Sequence, residues 1–335
     1  WPVSLEAGMF YVSTSGNDAN AGTIDSPWLT IQKGLDVANP GDTVNIADGT
    51  YNESLDTIRD GAADNRITVR AQNTGQVTVT NSGRVLDFDH AYITFDGLRF
   101  DGQFGTSDII RVRTGADFGA LNSVEVLNGS RDGIDLGTNT TSGPPADFLE
   151  GFAITDSTVR DTLWIDSSGA RQDAHGIVAG GVRDFTVSGT EVFYVSGDAF
   201  QLQDGDWDNV LLDSVVFWNG PLPQDTNGFA AGVNPGENAV DTKQDNNLPT
   251  RGHLTIRDSV FYGWNGELIP LASALVIKEQ VDVTLERSIL YDNLIALRLR
   301  GETANNAGAF VTVKNSVLYN NEIAARFEDD VANLN

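Results

Sequence analysis

A short alternating apolar strand recurs eight times along the chain, beginning at Ile93-Thr94-Phe95, Val124-Glu125-Val126, Phe152-Ala153-Ile154, Phe185-Thr186-Val187, Val210-Leu211-Leu212, Leu254-Thr255-Ile256, Val283-Thr284-Leu285 and Val311-Thr312-Val313. Successive offsets are 31, 28, 33, 25, 44, 29 and 28 residues. A period of that size, with strand alternation inside each copy, marks stacked supersecondary units that cannot bury their apolar faces alone. The repeat predicts a β-solenoid.

A second strand follows the first in most copies, opened by a small residue: Gly133-Ile134-Asp135-Leu136, Ala199-Phe200-Gln201-Leu202, Ala239-Val240-Asp241-Thr242, Ala274-Leu275-Val276-Ile277, Ala296-Leu297-Arg298-Leu299 and Ala324-Ala325-Arg326-Phe327. Alternate members point into the coil and out to solvent. Repeats this short leave no room for helical crossovers, so the all-β reading is a right-handed parallel β-helix. Residues 1–60 are expected to form an N-terminal cap and 61–335 the solenoid.

Composition limits the partners. The 335 residues carry 21 Lys+Arg against 47 Asp+Glu, a formal charge of −26. Such a surface opposes nucleic acid and anionic membranes, and no apolar run is long enough to span a bilayer. Cysteine is absent, which excludes a disulfide framework and a thiolate metal site. A start at Trp1, without Met or a basic leader, is what a processed chain would show, so a secreted or cell-surface monomer is expected.

Stacking the second strands in register places the few cations together. Outward positions read Gln201 and Gln203, Asp241 and Lys243, Val276 and Lys278, Arg298 and Arg300, then Arg326 and Glu328. Neighbouring strands lie about 4.8 Å apart, so Lys243, Lys278, Arg298 and Arg300 form a basic stripe that needs an anion or interleaved carboxylates for relief. Just before it lie Asp173, Asp198, Asp204, Asp206, Asp208, Glu237 and Asp241, hard oxygen donors of the kind calcium takes. The run Asp204-Gly205-Asp206-Trp207-Asp208 is not an EF-hand loop, because Trp207 replaces the turn-permitting position.

Two sets of segments resemble known families. Phe10-Tyr11-Val12-Ser13-Thr14-Ser15-Gly16-Asn17-Asp18, Ser26-Pro27-Trp28-Leu29-Thr30-Ile31-Gln32-Lys33-Gly34-Leu35, Pro40-Gly41-Asp42-Thr43-Val44 and Asp48-Gly49-Thr50-Tyr51 look like the entry segment of secreted pectate-lyase-like β-helices. That resemblance implies a short capping helix, which Ile31, Leu35 and Val37 between Pro27 and Pro40 support. Gln172-Asp173-Ala174-His175-Gly176-Ile177, Ser196-Gly197-Asp198-Ala199-Phe200-Gln201-Leu202 and Gly236-Glu237-Asn238-Ala239-Val240-Asp241-Thr242-Lys243 resemble the catalytic coils of family 9 polysaccharide lyases. The resemblance implies calcium bound by Asp173 and Asp198, and a lysine acting as Brønsted base. Three positions depart from the family pattern. Its paired aspartates are here Gly197-Asp198, Gln201 stands where another ligand is expected, and the lysine sits two residues late, with Asp241 at the matched position. Side-chain direction repeats every second residue, so Lys243 still faces the same way.

The implied chemistry is β-elimination on an acidic polysaccharide such as pectate, with alginate next. It needs a base for the C5 proton, neutralisation of the uronate carboxylate, and departure of the C4 oxygen. A lysine serves as base only when part of it is uncharged, a state that neighbouring cations favour. Lys243 is the expected base, Lys278 its cationic neighbour, and Arg298 and Arg300 the grips on substrate carboxylates. Expected metal donors are Asp173, Asp198, Asp204, Asp206, Glu237 and Asp241, with Gln201, Gln203, Trp218 and Trp264 as substrate contacts. His90, His175 and His253 read as structural. Phe193, Phe217, Tyr262, Tyr291 and Tyr319 read as an aromatic ladder in the core. Asn219, Asn265, Asn293 and Asn321 recur at one bend, and the excursion from Gly220 to Gly236 should wall the groove. The alternatives are a non-catalytic carbohydrate-binding or adhesive module, and a β-helical hydrolase or epimerase. A hydrolase would need two carboxylates facing one groove, for which Asp198 and Asp241 are the candidates.

Overall fold

The structure, a computed structural model, describes residues 7–137, 147–203, 206–244, 250–278, 280–302 and 307–329. Three parallel sheets run the length of the chain. The first has 11 strands, from Met9–Val12 to Phe310–Lys314. The second has 10, from Gly49–Asn52 to Val317–Tyr319, and the third has 10, from Leu55–Asp56 to Ile323–Glu328. Each coil visits the three in that order, which is a parallel β-helix.

Alternation builds the core as expected. On the first sheet Val44, Val69, Phe95, Leu121, Ile154, Val187, Leu212, Ile256 and Leu285 stack in register, each fully buried. Large rings such as Phe100, Phe200, Phe217 and Phe261 fill the interior from the other sheets. The predicted cap is the helix Ile31–Val37, in which Thr30 Oγ1 accepts from Lys33 N at 3.2 Å. Glu53 takes the next two exposed donors, Ile31 N and Gln32 N, at 3.0 Å each.

Three expectations change. Thr43–Ile46, Gly49–Asn52 and Leu55–Asp56 already supply one strand to each sheet, so the solenoid starts well before residue 61. Val124-Glu125-Val126 belongs to the second sheet, and the first-sheet strand of that coil is Ala120–Asn122. Coils hold three strands rather than two. The middle ones, such as Val216–Trp218, Val260–Tyr262 and Ile289–Tyr291, are three residues long, too short to display a period.

Between the first and second strands of successive coils the chain bends through one left-handed residue: Ser123, Asp156, Gly189, Ser214, Asp258, Arg287 and Asn315, with φ from 48° to 57°. A hydroxyl follows at most of these bends and bonds the coil before it. Val124 N donates to Ser157 Oγ at 3.1 Å, Val215 N to Ser259 Oγ at 3.1 Å, Ser259 N to Ser288 Oγ at 3.2 Å and Ser288 N to Ser316 Oγ at 3.1 Å. Each hydroxyl hands its own proton to the carbonyl two residues back, as Ser259 does to Arg257 O at 2.7 Å. Thus a buried N–H at the bend finds an acceptor where strand pairing supplies none.

Ser259→Ala should therefore leave Val215 N without its acceptor and cost about 1–3 kcal/mol in urea unfolding. Ser259→Thr keeps the hydroxyl, as Thr190 does in its own coil, and should lose less than about 1 kcal/mol. Equal losses in the two variants would refute the ladder.

Candidate functional site

The outer face of the third sheet carries the expected stripe, and the 220–236 excursion, expected beside Lys243, sets Pro223 to Asn227 against the second sheet instead. Strands of the third sheet place Asp87, Arg111, Asp135, Val178, Gln201, Asp241, Val276, Arg298 and Arg326 in one register column. Two residues further along each strand, Gln203, Lys243, Lys278 and Arg300 follow the same register. The stacking read from the sequence is therefore realised, and carboxylates relieve the cations. Lys278 Nζ donates to Asp241 Oδ2 at 2.8 Å, while Lys243 Nζ stands 3.7 Å from that oxygen. Arg298 is bound to Glu328 at 3.0 Å and Arg300 to Asp329 at 3.1 Å. These two guanidiniums thus pair with carboxylates of the last described coil.

At the entry to these strands a polar column runs from coil to coil. His175 N donates to Asp132 Oδ1 at 2.9 Å, Asp198 N to His175 Nδ1 at 2.8 Å, and Ser273 N to Asn238 Oδ1 at 3.0 Å. Asp198 is only 1% exposed. Its two oxygens accept from Asn238 Nδ2 at 2.8 Å and Gln201 Nε2 at 2.9 Å. Burial first, then the charge of Asp241, pushes its carboxyl up to about 7. The histidine is what forbids a second aspartate before Asp198, because a Cβ on Gly197 would stand 2.5 Å from His175 Nδ1. Since that nitrogen accepts, the ring proton sits on Nε2, which faces the Gln201 amide at 3.3 Å. With Asp198 protonated, Gln201 can turn its carbonyl oxygen to this point and accept from both.

The remaining acids disperse. Asp173 is half exposed and pairs with Arg171 at 2.8 Å. Arg171 also donates to Pro235 O at 2.9 Å and to Ser196 O, and lies 3.7 Å from Glu237. Burial, then the negative charges of Asp198 and Asp173, raise Glu237 to about 7. Asp206 turns away, 3.4 Å from Arg183, and Asp208 binds His253 at 2.7 Å. Asp204 falls outside the described residues. Among the described residues no group of three or more His, Asp or Glu side chains is placed to hold a metal ion. As arranged, the donors do not fit a calcium cage. One oxygen, Asp241 Oδ1, is nonetheless buried without a partner.

The aromatic ladder expected in the core lies outside it, and one of its members changes. Phe217 is in the core, and the stacked column is Phe193, Trp218, Tyr262, Tyr291 and Tyr319 on the outside of the second sheet, with separations of 4.7, 5.7, 4.8 and 5.1 Å. Trp218 has both faces covered by neighbours inclined only 7° to it, and its Nε1 is bonded to Glu191. It offers no platform, and it lies on another sheet from Lys243. Trp264 is 1% exposed, with Nε1 toward Phe217 O, so it is core as well. Gln201 is nearly buried and tied to Asp198. Gln203 alone of the four expected contacts stays on the outer face beside Lys243. Sequence reasoning missed Arg171, which acts across 64 residues on Pro235, whereas His175, read as structural, orders the column. Of the recurring asparagines, Asn219 and Asn293 are buried and bond backbone carbonyls, whereas Asn265 is exposed and accepts from Glu267 N.

Comparison with known proteins gives the same architecture. A family described as Pel9A-like, right handed beta helix region matches residues 10–333. A rhamnogalacturonan lyase superposes with a TM-score of 0.66 at 14% identity, over 93% of this chain and 88% of that one. Pectate lyase Pel9A gives 0.56 at 18% identity, over 93% and 79%. Lacto-N-biosidase from Eubacterium ramulus gives 0.54 at 12% identity, over 93% and 68%. At such identities the likeness is one of fold. The uncharacterized protein YwoF of Bacillus subtilis (strain 168) is 37% identical over 70 residues, which is 21% of this chain and 15% of that protein.

Asp198 and Glu237 have folded-state values above their unfolded ones near 4. Their contribution to stability is therefore complete below about pH 4 and is lost as pH rises through about 7. Asp198→Asn removes one of the two losses, since Gln201 can turn to match the amide. Between pH 5 and pH 8 its unfolding free energy should gain on that of the unmodified chain by more than about 1 kcal/mol. Parallel pH curves would show that Asp198 is ionised in the fold.

Proposed function

Because the chain belongs to the Pel9A-like right-handed β-helix family, we propose that it is a polysaccharide lyase that cleaves an acidic, uronate-containing polymer such as pectate by β-elimination, with Lys243 as base. The observation that carries this reading is the asymmetry of the two lysines at Asp241. Lys278 takes the carboxylate oxygen at 2.8 Å and is held, whereas Lys243, at 3.7 Å from the same oxygen and one-third exposed, is held more loosely and presents its amine to solvent. Lys243 accepts the C5 proton, the C4–C5 double bond forms, and the C4–O bond breaks. The departing oxygen takes its proton from water. Lys278 keeps positive charge on the same outer face, where negative charge develops, which lowers the barrier only because it is fixed beforehand.

A hydrolase fits less well. Its general acid would be Asp198, whose carboxyl is raised as such a role requires, but that group is buried behind Gln201 and Asn238 and cannot touch a sugar. Calcium assistance belongs to the same proposal, with Asp173, Asp198, Glu237 and Asp241 as the nearest acids. No step is routed through the ion, because these groups do not converge. A polymer of this kind places the chain outside the cell.

A panel of polyuronates, followed by ultraviolet absorbance of the unsaturated product with and without chelator, tests the reading. A general base contributes roughly 10²- to 10⁴-fold, so Lys243→Ala should lower kcat at least a hundredfold with an unchanged melting curve. Lys243→Arg should fail as well, since a guanidinium stays protonated. Retention of more than a tenth of the activity by Lys243→Ala would transfer the role to Lys278. No turnover on any polyuronate would favour a binding module.

A further inference from the structure

A groove lies on the second sheet, away from Lys243. It has a volume of about 600 Å³, within the range of small-molecule sites. Its floor is built where strands Leu98–Gly105, Glu125–Gly129, Thr158–Thr162 and Glu191–Val195 end, each passing through a left-handed residue: Phe104, Asn128, Asp161 and Tyr194, with φ of 52°, 61°, 55° and 52°. Residues of the 220–236 excursion, from Pro223 to Asn227, form its wall. That wall is anchored. Leu222 and Phe229 pack with Leu163 in a small core of their own, and Asn227 Nδ2 donates to Ser130 Oγ at 2.9 Å and to Leu163 O.

The outer aromatic ladder ends in this groove. Along the ladder each ring covers its neighbour, with planes 2° to 11° apart, so the inner rungs have no free face. Phe193 is the terminal rung. Trp218 covers one of its faces at 4.7 Å. On the other side its register partner is Arg160, whose guanidinium is drawn onto Glu125 at 2.7 Å and onto Asp161. Tyr194 meets Phe193 edge-on at 5.1 Å and 75°, closing a corner. Phe193 thus lines the groove, Tyr194 stands at right angles to both Phe193 and Trp218, which it meets at 5.0 Å and 71°, and polar groups form the rim. That combination matches a sugar ring, apolar on its C–H face and polar around its circumference.

Charge selects among sugars. Arg99 and Arg160 share Glu125, Arg160 also takes Asp161, and Asp225 adds a further carboxylate on the wall, three acids to two bases. The surroundings are net negative on a chain of charge −26, so a uronate would be repelled. We propose that this groove binds a neutral sugar unit of a glycan, packed against Phe193, at a site separate from the face that carries Lys243.

The inference does not depend on the chemistry at Lys243. The full chain would be titrated with cellotetraose, xylotetraose and galactotetraose, and with trigalacturonate as the anionic probe. Tryptophan fluorescence reports through Trp218, and saturation-transfer NMR reports binding directly. At least one neutral tetrasaccharide should bind with a Kd on the order of 1 mM or tighter. Phe193→Leu keeps the apolar volume and removes the ring, and should weaken binding at least tenfold. Tyr194→Ala provides the same readout should that variant fail to fold. Lys243→Ala should bind as the unmodified chain does, which keeps failure of the lyase reading distinct from failure here. Absence of binding by all three neutral probes, unchanged affinity in a folded Phe193→Leu or Tyr194→Ala chain, or equal competition by trigalacturonate would overturn the proposal.

Discussion

The solenoid depends on a bend made in a single residue. Turning from the first sheet to the second requires one left-handed backbone position per coil, and L residues adopt it at a cost of about 1–2 kcal/mol unless glycine, Asn or Asp stands there. Asp156, Gly189, Asp258 and Asn315 meet that demand through residue type. Arg287 does not, and is held instead by two hydrogen bonds of 2.8 Å to Asp258 of the coil before. The bend also frees a buried N–H from strand pairing, and the following hydroxyl absorbs it. Without those two provisions the three sheets could not meet at corners tight enough to leave a dry interior.

The outer face of the third sheet inherits its chemistry from that regularity. Constant register sets groups of like charge on adjacent coils about 4.8 Å apart, and the chain manages them by interleaving. One Asp241 oxygen receives Lys278 and steadies Lys243, Glu328 receives both Arg298 and Arg326, and Asp329 receives Arg300. At the entry to the strands the opposite problem arises: Asp198 is buried, and desolvation raises its carboxyl as well as those of the less enclosed Asp132 and Glu237. The lysines are thus paired through Asp241 on the outer face, while Asp198 is satisfied by the amides of Asn238 and Gln201 instead of by a cation.

Much of this was legible from residues alone, because a period-2 pattern repeated at a fixed interval leaves little freedom. The pairing of Lys243 with Lys278 and Arg300, and of Asp241 with Val276 and Arg298, follows from aligning the small residues that open each strand. The capping helix was marked by Ile31, Leu35 and Val37 between Pro27 and Pro40. What failed did so for local reasons. A three-residue strand has no period, so Val216–Trp218 was read one position off, and a slip of one residue exchanges the two faces. That single slip put Phe217 in the ladder and made Trp218 a sugar platform. Trp264 could not be told from an exposed tryptophan because its burial depends on a loop, and Arg171 acts on a carbonyl 64 residues away that no local pattern connects to it.

The hydroxyl and amide ladders also have a direction. In both, the donor is a backbone N–H and the acceptor belongs to the coil that comes later in the chain: Ser259 N to Ser288, Trp264 N to Asn293, Asn293 N to Asn321. At these bends a coil's donors are met by its successor, whereas the polar column beside Asp198 runs the other way, with Asp198 N on His175 and Ser273 N on Asn238 of the coil before. During synthesis from the N-terminus the newest rung always carries unmet donors, which the next rung to emerge is shaped to quench. At the bends, growth of the stack is thus templated in one sense, each new rung supplying the acceptors that the rung before it lacks.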